Sequence, residues 1–358
     1  MSDNEEVKKS GFEVWVGGSK LTDRPLDQVK SVRVDMVADG PDIFEIIINT
    51  EDEAEMAYPN DDYKMAAEIE LKVGFGDNIE TLFKGEISRI DATFHEQDPP
   101  TFRISGFDRL HRLTRGRFTQ HWEQVKYSDV ANDIASKTGL TPDIESTEIT
   151  FDYISMNNQT YLDFLSELAR RVSYELNVDD KKLVFKSERS DQSSVATLTY
   201  GDNLKRAKFS AQTSGQMTKV RVLAWDDAQK QQVIGEAQGG DVSPMLGGST
   251  SGPDVAKDAF SIDADFWVSN YAARTQSEVD EVAKSIMNEI AHKFVRVEAE
   301  CGGDTAIKAG SVVTFDGCTG HFNGDYYVVR ATHIYEIGSG PGKGYRTRLI
   351  CSRPAWSV

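Results

Sequence analysis

Apolar and polar residues alternate in short runs through the first 110 residues. The stretches FEVWVGG, from Phe12, and AAEIELKVGFG, from Ala66, alternate and then reach glycine turns. This pattern is typical of half-buried β-strands. Short strands separated by Gly, Asp and Pro turns predict a small barrel or sandwich over residues 1–112.

The apolar spacing changes to three and four residues after Leu113. YSDVANDIASKTGL predicts a helix with Ser128 as its N-cap and Gly139 in the left-handed position at its end. TYLDFLSELARRVSYEL predicts a second helix, with one apolar face formed by Leu162, Leu165, Ala169 and Val172. Asp179 and Asp180 lie between two apolar runs, as in a hairpin turn. Residues 113–196 are therefore predicted to form an α+β middle domain.

Strand patterns return from Thr197, and an insertion interrupts them. GEAQGGDVSPMLGGSTSG, residues 235–252, is rich in Gly and Ser and predicts a flexible loop. SEVDEVAKSIMNEIAHKF then predicts a helix with Ser277 as its N-cap. We expect residues 197–230 and 293–358 to form one β domain, and residues 231–292 to be inserted into it.

The two β regions resemble each other in sequence. FKGEISRIDATF, from Phe83, aligns with FNGDYYVVRATH, from Phe322, and each is followed by a polar turn and another strand. This alignment matches Gly85 with Gly324, and it places His333 at the position of Phe94. An internal repeat of this kind predicts a duplicated β domain. The predicted fold class is mainly β with α+β: two similar small antiparallel β-barrels in one chain, an α+β middle domain, and an inserted helical and loop segment.

Composition narrows the functional classes. The chain has 358 residues and a net charge of -18, which argues against a basic face for binding nucleic acid. The acidity favours solubility, or a surface past which anionic cargo slides without adhering. The longest apolar runs are strand-sized, so no membrane insertion is expected. The first ten residues lack the apolar segment of a signal peptide, so we expect assembly in the bacterial cytoplasm.

Cysteine and histidine crowd together at one place, where Cys318, His321 and His333 occur. A zinc site would need a fourth ligand and a shorter second spacing. The repeat also aligns His333 with Phe94, an aromatic residue that cannot bind metal. Since Cys301, Cys318 and Cys351 are far apart and form no CxxC motif, neither a disulfide framework nor a zinc ribbon is supported. We predict no metal and no cofactor.

Catalytic signatures are weak. A glycosidase would need two carboxylates across a cleft, and acids are abundant in turn-rich stretches, at Glu51, Asp52, Glu53, Glu55, Asp61 and Asp62. Solvated acids are the simpler interpretation. The GGS of residues 247–249 lacks the strand-turn-helix setting of a nucleophile, and GSGPGKG, residues 338–344, joins two strands instead of opening a helix. We predict no catalytic residue.

Two further features have open interpretations. The basic stretch HRLTRGRF, from His111, is either a solvated connector between domains or a contact to an acidic neighbour. Trp122, Trp225 and Trp267 are expected to be core or interface anchors.

Several segments, in order, resemble the late control protein D family of phage tails, the central baseplate hub of contractile tails. The same fold forms the N-terminal part of the valine-glycine repeat spike proteins of type VI secretion. The segments are LFKGEISRID, TYLDFLSELARRVSYEL, TYGDNLKRAKFS and the closing strands from KAGSVVTFDG to YRTRLICSR. The resemblance covers nearly the whole chain.

The resemblance implies a non-enzymatic homotrimer whose paired barrels form a ring of six. Such a ring joins the sixfold tail tube, or a tube-initiator protein, to a separate trimeric central spike, contacts other baseplate proteins, and encloses the cargo channel. The protein would then be part of a phage tail, virion or injection particle. Two alternatives are a baseplate-associated peptidoglycan hydrolase and a receptor- or glycan-binding tail protein.

Overall fold

The computed structural model describes residues 10–21, 28–49, 63–94, 96, 99–187, 193–226, 229–269, 275–338, 340 and 343–356. Strands predominate over helices in these ranges, which confirms the mainly β fold class. The acidic residues Glu51, Asp52, Glu53, Glu55, Asp61 and Asp62 lie outside the described residues.

The first β region forms one antiparallel sheet. Its strands are β1 (Ser10–Val16), β2 (Ser19–Lys20), β3 (Val29–Val37), β4 (Ile43–Asn49), β5 (Glu68–Phe75), β6 (Asn78–Thr93) and β7 (Thr101–Phe107). Their spatial order is β2-β1-β5-β6-β7-β4-β3. Alternate side chains are buried, as the sequence pattern predicted; Val34 on β3 and Phe44 on β4 are fully enclosed.

The middle region has its own core. It comprises a 3-10 helix (Arg109–Thr114), β8 (Phe118–Val125), α1 (Tyr127–Lys137), β9 (Thr141–Ile144), β10 (Phe151–Gln159), α2 (Tyr161–Arg171), β11 (Tyr174–Asp179) and β12 (Lys182–Ser187). β8 pairs with β10, and β12 pairs with both β11 and β9. Both helices pack their apolar faces into a cluster that includes Ile134, Leu165 and Phe185. Asp180 occupies the β11–β12 turn with φ +53°, as predicted for a hairpin.

The predicted start of the first helix was wrong. Lys126, not Ser128, is the N-cap of α1, because the carboxylate of Asp129 accepts the Lys126 amide over 2.9 Å. The Ser128 amide instead donates to Oγ1 of Thr147. Gly139 follows the helix at φ +71°, as predicted for a left-handed terminus.

The second β region begins with β13 (Ala196–Thr199) and β14 (Leu204–Ala211), and the insertion follows. The inserted elements are β15 (Lys219–Asp226), β16 (Gln231–Gln238), β17 (Thr250–Ser251), α3 (Gly252–Phe260), β18 (Asp265–Val268) and α4 (Gln276–Ala291). The predicted boundary at residue 231 is too late, since β15 pairs with β16 and β18 and not with the large sheet. Its alternating pattern is that of any half-buried strand, so the sequence could not reveal the helix that it packs against.

The predicted flexible loop is only partly irregular, since residues 242–249 lie outside helices and strands and the rest do not. Residues 235–238 continue β16, a 3-10 turn covers Gly239–Asp241, and α3 begins at Gly252. A Cβ atom on Gly235 would lie 2.1 Å from the carbonyl oxygen of Val279 on α4. This glycine therefore permits close strand-helix packing instead of supplying flexibility. The N-cap of α4 is Thr275, not Ser277.

The chain ends in β19 (Val295–Gly302), β20 (Val312–Asp316), a 3-10 turn (Gly320–Phe322), β21 (Gly324–Glu336), β22 (Gly344–Arg353) and β23 (Ala355–Trp356). The spatial order β20-β21-β22-β19-β14 repeats the order β5-β6-β7-β4-β3 of the first region. We call these two sets of strands the first half and the second half. The insertion lies between β14 and β19, where the first half has only the short β3–β4 turn.

Bulges fix the register of the repeat. Lys30 is the extra residue of a bulge in β3, between the first two residues that pair with β4. Lys205 is the extra residue of a bulge in β14, between the first two residues that pair with β19. Ser88 on β6 and Val329 on β21 are bulged in the same way against β7 and β22. These matches make Val29 equivalent to Leu204, and Ile87 equivalent to Val328.

The sequence alignment of the repeat was wrong by two residues. In the sheet, His333 corresponds to Ala92 and not to Phe94, because His333 pairs with Thr347 where Ala92 pairs with Phe102. Strand side chains alternate with a period of two, so a two-residue slip keeps the same residues facing the core. Sequence alternation alone therefore cannot detect this error.

The two halves join through strands β3 and β21. Seven antiparallel residue pairs, from Arg330 opposite Val37 to Glu336 opposite Ser31, merge them into one sheet of thirteen strands in the described residues. Oγ1 of Thr332 donates to Oδ1 of Asp35 over 2.6 Å across this joint. A single apolar cluster runs beneath both halves.

Candidate functional site

Arg109 is the centre of the most heavily charged buried cluster that the structure describes. Its side chain is 2% exposed, and it forms ion pairs with Asp180 and, over 2.7 Å, with Glu68. Glu86 lies 3.5 Å from Arg109 Nε and is also bound by Arg112. The cluster joins β5 and β6 to the β11–β12 hairpin, and it thereby fixes the middle region against the first half.

The basic stretch from His111 contributes to this junction. Arg112 binds Glu86 of the same chain, and His111 is buried with Nδ1 2.6 Å from the carbonyl of Asp108. Arg117 donates to the carbonyl of Asn158 over 2.9 Å. The stretch is therefore not a simple solvated connector, since much of its charge is paired within the chain.

Two carboxylates lie beside the cluster. Oδ2 of Asp108 accepts the amide of Asp42, and its Oδ1 accepts the amide of Leu110, where Asp108 caps the 3-10 helix. Oδ1 of Asp42 accepts the amide of Val37 over 2.9 Å. Burial raises the pKa of Asp42 to about 7, and burial together with the nearby Asp42 charge raises that of Asp108.

A polar cleft of about 630 Å³ opens between the two halves and the middle region. Asp42, Asp108, Asp143, Glu175 and Asp180 line it, together with Lys84 and Lys308. Glu175 is itself 7% exposed and accepts a 2.7 Å hydrogen bond from the hydroxyl of Tyr327. That bond ties β11 to β21, so the cleft walls belong to all three parts of the chain.

The Cys and His residues considered as metal ligands make other contacts. His333 is 1% exposed, with Nε2 2.9 Å from the carbonyl of Ile307 and Nδ1 2.9 Å from the hydroxyl of Tyr345. Burial lowers its pKa to about 4, so the ring is neutral at physiological pH. The Cys318 amide donates to Asn323, and His321 packs against Trp356. In the described ranges, no three His, Cys, Asp or Glu side chains are arranged to hold a metal ion.

The three tryptophans have different environments. Trp122 stacks on Phe164 and donates to Asp133 over 2.8 Å, as expected of an anchor within the protein. Trp225 and Trp267 are 52% and 53% exposed on the sheet formed by β15, β16 and β18. The guanidinium of Arg221 lies 4.9 Å from the Trp267 ring. This sheet packs α4 on one face and leaves the two indoles accessible on the other.

Sequence reasoning missed the charged junction and the Asp42–Asp108 pair. The participants Glu68, Glu86, Arg109 and Asp180 are distant in the chain, so no short motif unites them. The one available signal was the basic stretch from His111, with Arg109 two residues before it, shortly after β7 in an acidic chain.

Among the described residues, no helix is long and apolar enough to cross a membrane.

Comparison with known families gives one match. The model of a family described as the Alg8 N-terminal domain matches residues 6–336. The chain belongs to the Alg8 N-terminal domain family. A comparison with curated proteins found no match.

Solved structures share the fold of this Alg8 N-terminal domain protein. The 43 kDa tail protein of prophage MuSo2 from Shewanella oneidensis superposes with a TM-score of 0.70 at 13% identity, over 96% of this chain and 98% of its own. A tail protein from Neisseria meningitidis MC58 gives 0.69 at 14% identity, over 96% and 97%. The E. coli c3393 protein, described as a component of the type VI secretion system, gives 0.56 at 10% identity, over 95% and 76%. At these identities the similarity establishes the fold.

Proposed function

We propose that this protein is the structural hub of a contractile phage tail or of a related injection particle. Three copies would form a ring that joins the sixfold tail tube to a trimeric central spike. The observation that carries the proposal is the internal repeat, because two equivalent halves per chain give a trimer six similar units. The shared fold of phage tail proteins and of a type VI secretion component supports it, as does the resemblance to the late control protein D family.

The proposed role is non-enzymatic and rests on geometry. The charged junction around Arg109 would hold the middle region rigidly against the ring. Charges on the exposed face of the sheet are mixed, with Arg33 paired to Asp35, Arg103 to Glu45 and Arg348 to Glu300. If this face lines the channel, its wall is not uniformly acidic, and the acid-lined channel inferred from net charge alone would be wrong.

Electron microscopy of the purified protein tests the proposed ring. Class averages of the negatively stained protein, alone and mixed with its spike, are expected to show a ring with six lobes of two alternating kinds. The same protein added to tail tubes should bind at one end only. Particles that remain single and compact under both conditions would contradict the proposal.

The peptidoglycan hydrolase alternative has one supporting observation. Asp42 combines a raised pKa with a position in the 630 Å³ cleft, which is a setting that a general acid can use. Both Asp42 and Asp108 accept backbone amides, however, which gives them a structural role. A zymogram of wild type and Asp42→Asn on cell-wall substrate separates the two readings. Clearing by wild type alone would favour the hydrolase.

The receptor-binding alternative is favoured by the exposed Trp225 and Trp267. Exposed indoles on a sheet face can stack on sugar rings or contact a protein partner. Glycan-array binding by the wild type that is lost in Trp225→Ala and Trp267→Ala would support this alternative. If the wild type binds no glycan on the array, the two exposed indoles are better explained as a contact to another baseplate protein.

A further inference from the structure

The joint between the two halves uses only part of the available strand edges. β21 pairs with β22 along one edge, and residues 330–336 of its other edge pair with β3. Because the halves are equivalent, the second half contains a counterpart of β3, which is β14, and the first half contains a counterpart of β21, which is β6. These two counterparts do not pair with each other within the chain.

Both counterparts present an open edge. β14 pairs with β19 on one side, and among the described residues no strand pairs with its other side. β6 pairs with β7 through residue 93, whereas its pairing with β5 begins only at Glu68 opposite Glu86. Residues 88–93 therefore have one edge with no strand partner in the described ranges. An unpaired edge is a ready template for a strand from another chain.

We infer that the open edge of β14 in one copy pairs antiparallel with the open edge of β6 in the next copy. This inference rests on the proposed trimer and names the surface that forms it. Intermolecular β14–β6 joints would alternate with the intramolecular β3–β21 joints around the ring. Such a head-to-tail contact closes into a ring when the rotation that relates each copy to the next is a whole fraction of a full turn.

The repeat also gives the register. Counting from the equivalent bulges, Asp35 corresponds to Ser210, and Thr332 corresponds to Asp91. Since Asp35 and Thr332 face each other across the internal joint, Ser210 of one copy would face Asp91 of the next. At the internal joint β21 carries the hydroxyl, on Thr332, and β3 carries the carboxylate, on Asp35. At the inferred joint the two groups are swapped between the corresponding strands. The hydroxyl of Ser210 can therefore donate to the carboxylate of Asp91.

A neighbouring pair explains an exposed aromatic side chain. Phe94 is 61% exposed, although its ring centroid lies only 6.2 Å from that of Phe102. It corresponds to Tyr335, which is 9% exposed and lies opposite Val32 at the internal joint. Across the inferred joint, Phe94 would lie opposite Ala207. The same contact would therefore cover an apolar side chain that the isolated chain leaves in water.

Cysteine cross-linking tests the register. Directly opposed residues of antiparallel strands have Cα atoms about 4.5–5.5 Å apart, which is within the range that a disulfide spans. Asp91→Cys combined with Ser210→Cys, in a Cys318→Ser background, should give covalent dimers and trimers on mild oxidation. The off-register control, Asp91→Cys with Arg206→Cys, should stay monomeric under denaturing conditions because it is displaced by about 13 Å along the strand.

The outcomes separate this inference from the function it rests on. If light scattering finds a trimer but the Asp91–Ser210 pair cross-links no better than the control, the edge pairing is wrong and the proposed hub stands. If the wild type forms no trimer even with its spike, both fail. Selective cross-linking of the matched pair supports both.

A single substitution gives a second test. Phe94→Lys leaves the isolated chain intact, since the side chain is exposed there, but it should weaken the trimer about tenfold or more. Phe260→Lys is the matched control, because Phe260 is also 61% exposed and lies on α3, which belongs to neither edge strand. Sedimentation across a concentration series measures the effect, with circular dichroism confirming the fold. Equal trimer stability in the two variants would overturn the inference.

Discussion

The backbone amide of Asp42 donates a hydrogen bond to Oδ2 of Asp108 over 3.1 Å, which places the half-buried carboxyl group of Asp42 at the same junction as the buried one of Asp108. Asp42 lies just before β4, and Asp108 lies just after β7. Each carboxylate also organises local backbone, at Val37 and at Leu110 respectively. Because burial raises the pKa of both carboxyl groups, we expect the stability of this junction to depend on their protonation.

Asp42 should make stability decrease as pH rises. Its pKa is raised in the folded state to about 7 from an unfolded value near 3.8, so its stabilising contribution is complete below about pH 4 and is lost as pH approaches 7. Asp42→Asn removes this titration and keeps an acceptor for the Val37 amide. The variant should gain on the order of 1–3 kcal/mol relative to wild type between pH 4 and pH 8.

The measurement is the free energy of unfolding in denaturant at several pH values. Burial lowers the pKa of His292 and His333 to about 4, and this contributes the opposite slope, with stability lost as pH falls below about 6.5. The histidine contribution to the pH dependence is the same in both proteins, so it cancels in the difference between variant and wild type. Asp39→Asn, at an exposed position nearby, should run parallel to wild type. A constant difference between Asp42→Asn and wild type at all pH values would contradict the assignment.

Arg109→Met should destabilise the protein strongly. Removing the buried guanidinium leaves Glu68, Glu86 and Asp180 without a shared cation. We expect a loss of about 2–4 kcal/mol, less than for a fully buried pair because Glu68 and Asp180 keep contact with water. Arg103→Met is the control: its partner Glu45 is 3.2 Å away at the surface, and the cost should be about 1 kcal/mol or less. Equal unfolding midpoints for the two variants would show that the junction is not stabilised as described.

Gly235→Ala should destabilise the insertion. The new methyl group would meet the Val279 carbonyl oxygen at 2.1 Å, so β16 and α4 must separate, at a cost of about 1–3 kcal/mol. Gly240→Ala has no heavy atom within 4 Å of the added carbon and should change stability by less than about 0.5 kcal/mol. Thermal unfolding of both variants makes the comparison. If the two variants unfold alike, Gly235 does not serve close packing of β16 against α4.

Features that depend on neighbouring residues could be predicted from the sequence. Alternation of apolar and polar residues predicted the mainly β class, apolar residues spaced by three and four predicted the two middle helices, and Asp179-Asp180 predicted the β11–β12 turn. The repeat was visible because both halves contain a Phe-x-Gly, within β6 at residues 83–85 and at the start of β21 at residues 322–324. Its register was not, since a slip of two residues leaves every side chain on the same face.

Long-range relationships were beyond sequence reasoning. The β3–β21 joint pairs residues about three hundred positions apart, and the junction around Arg109 collects side chains from three separate regions. The insertion boundary also failed for this reason, because the partner of β15 lies on later elements and nothing within β15 identifies it. Glycine-rich composition suggested mobility at residues 235–252, whereas close packing against α4 explains Gly235.

The molar mass of the purified protein tests the central claim most directly. Light scattering behind a sizing column, with the protein alone and then with its spike, should give a species of three times the 39.8 kDa chain mass in at least one condition. That result would support the ring and make the internal repeat an assembly rule. A species of 39.8 kDa that persists at high concentration and with the spike present would contradict the trimeric hub.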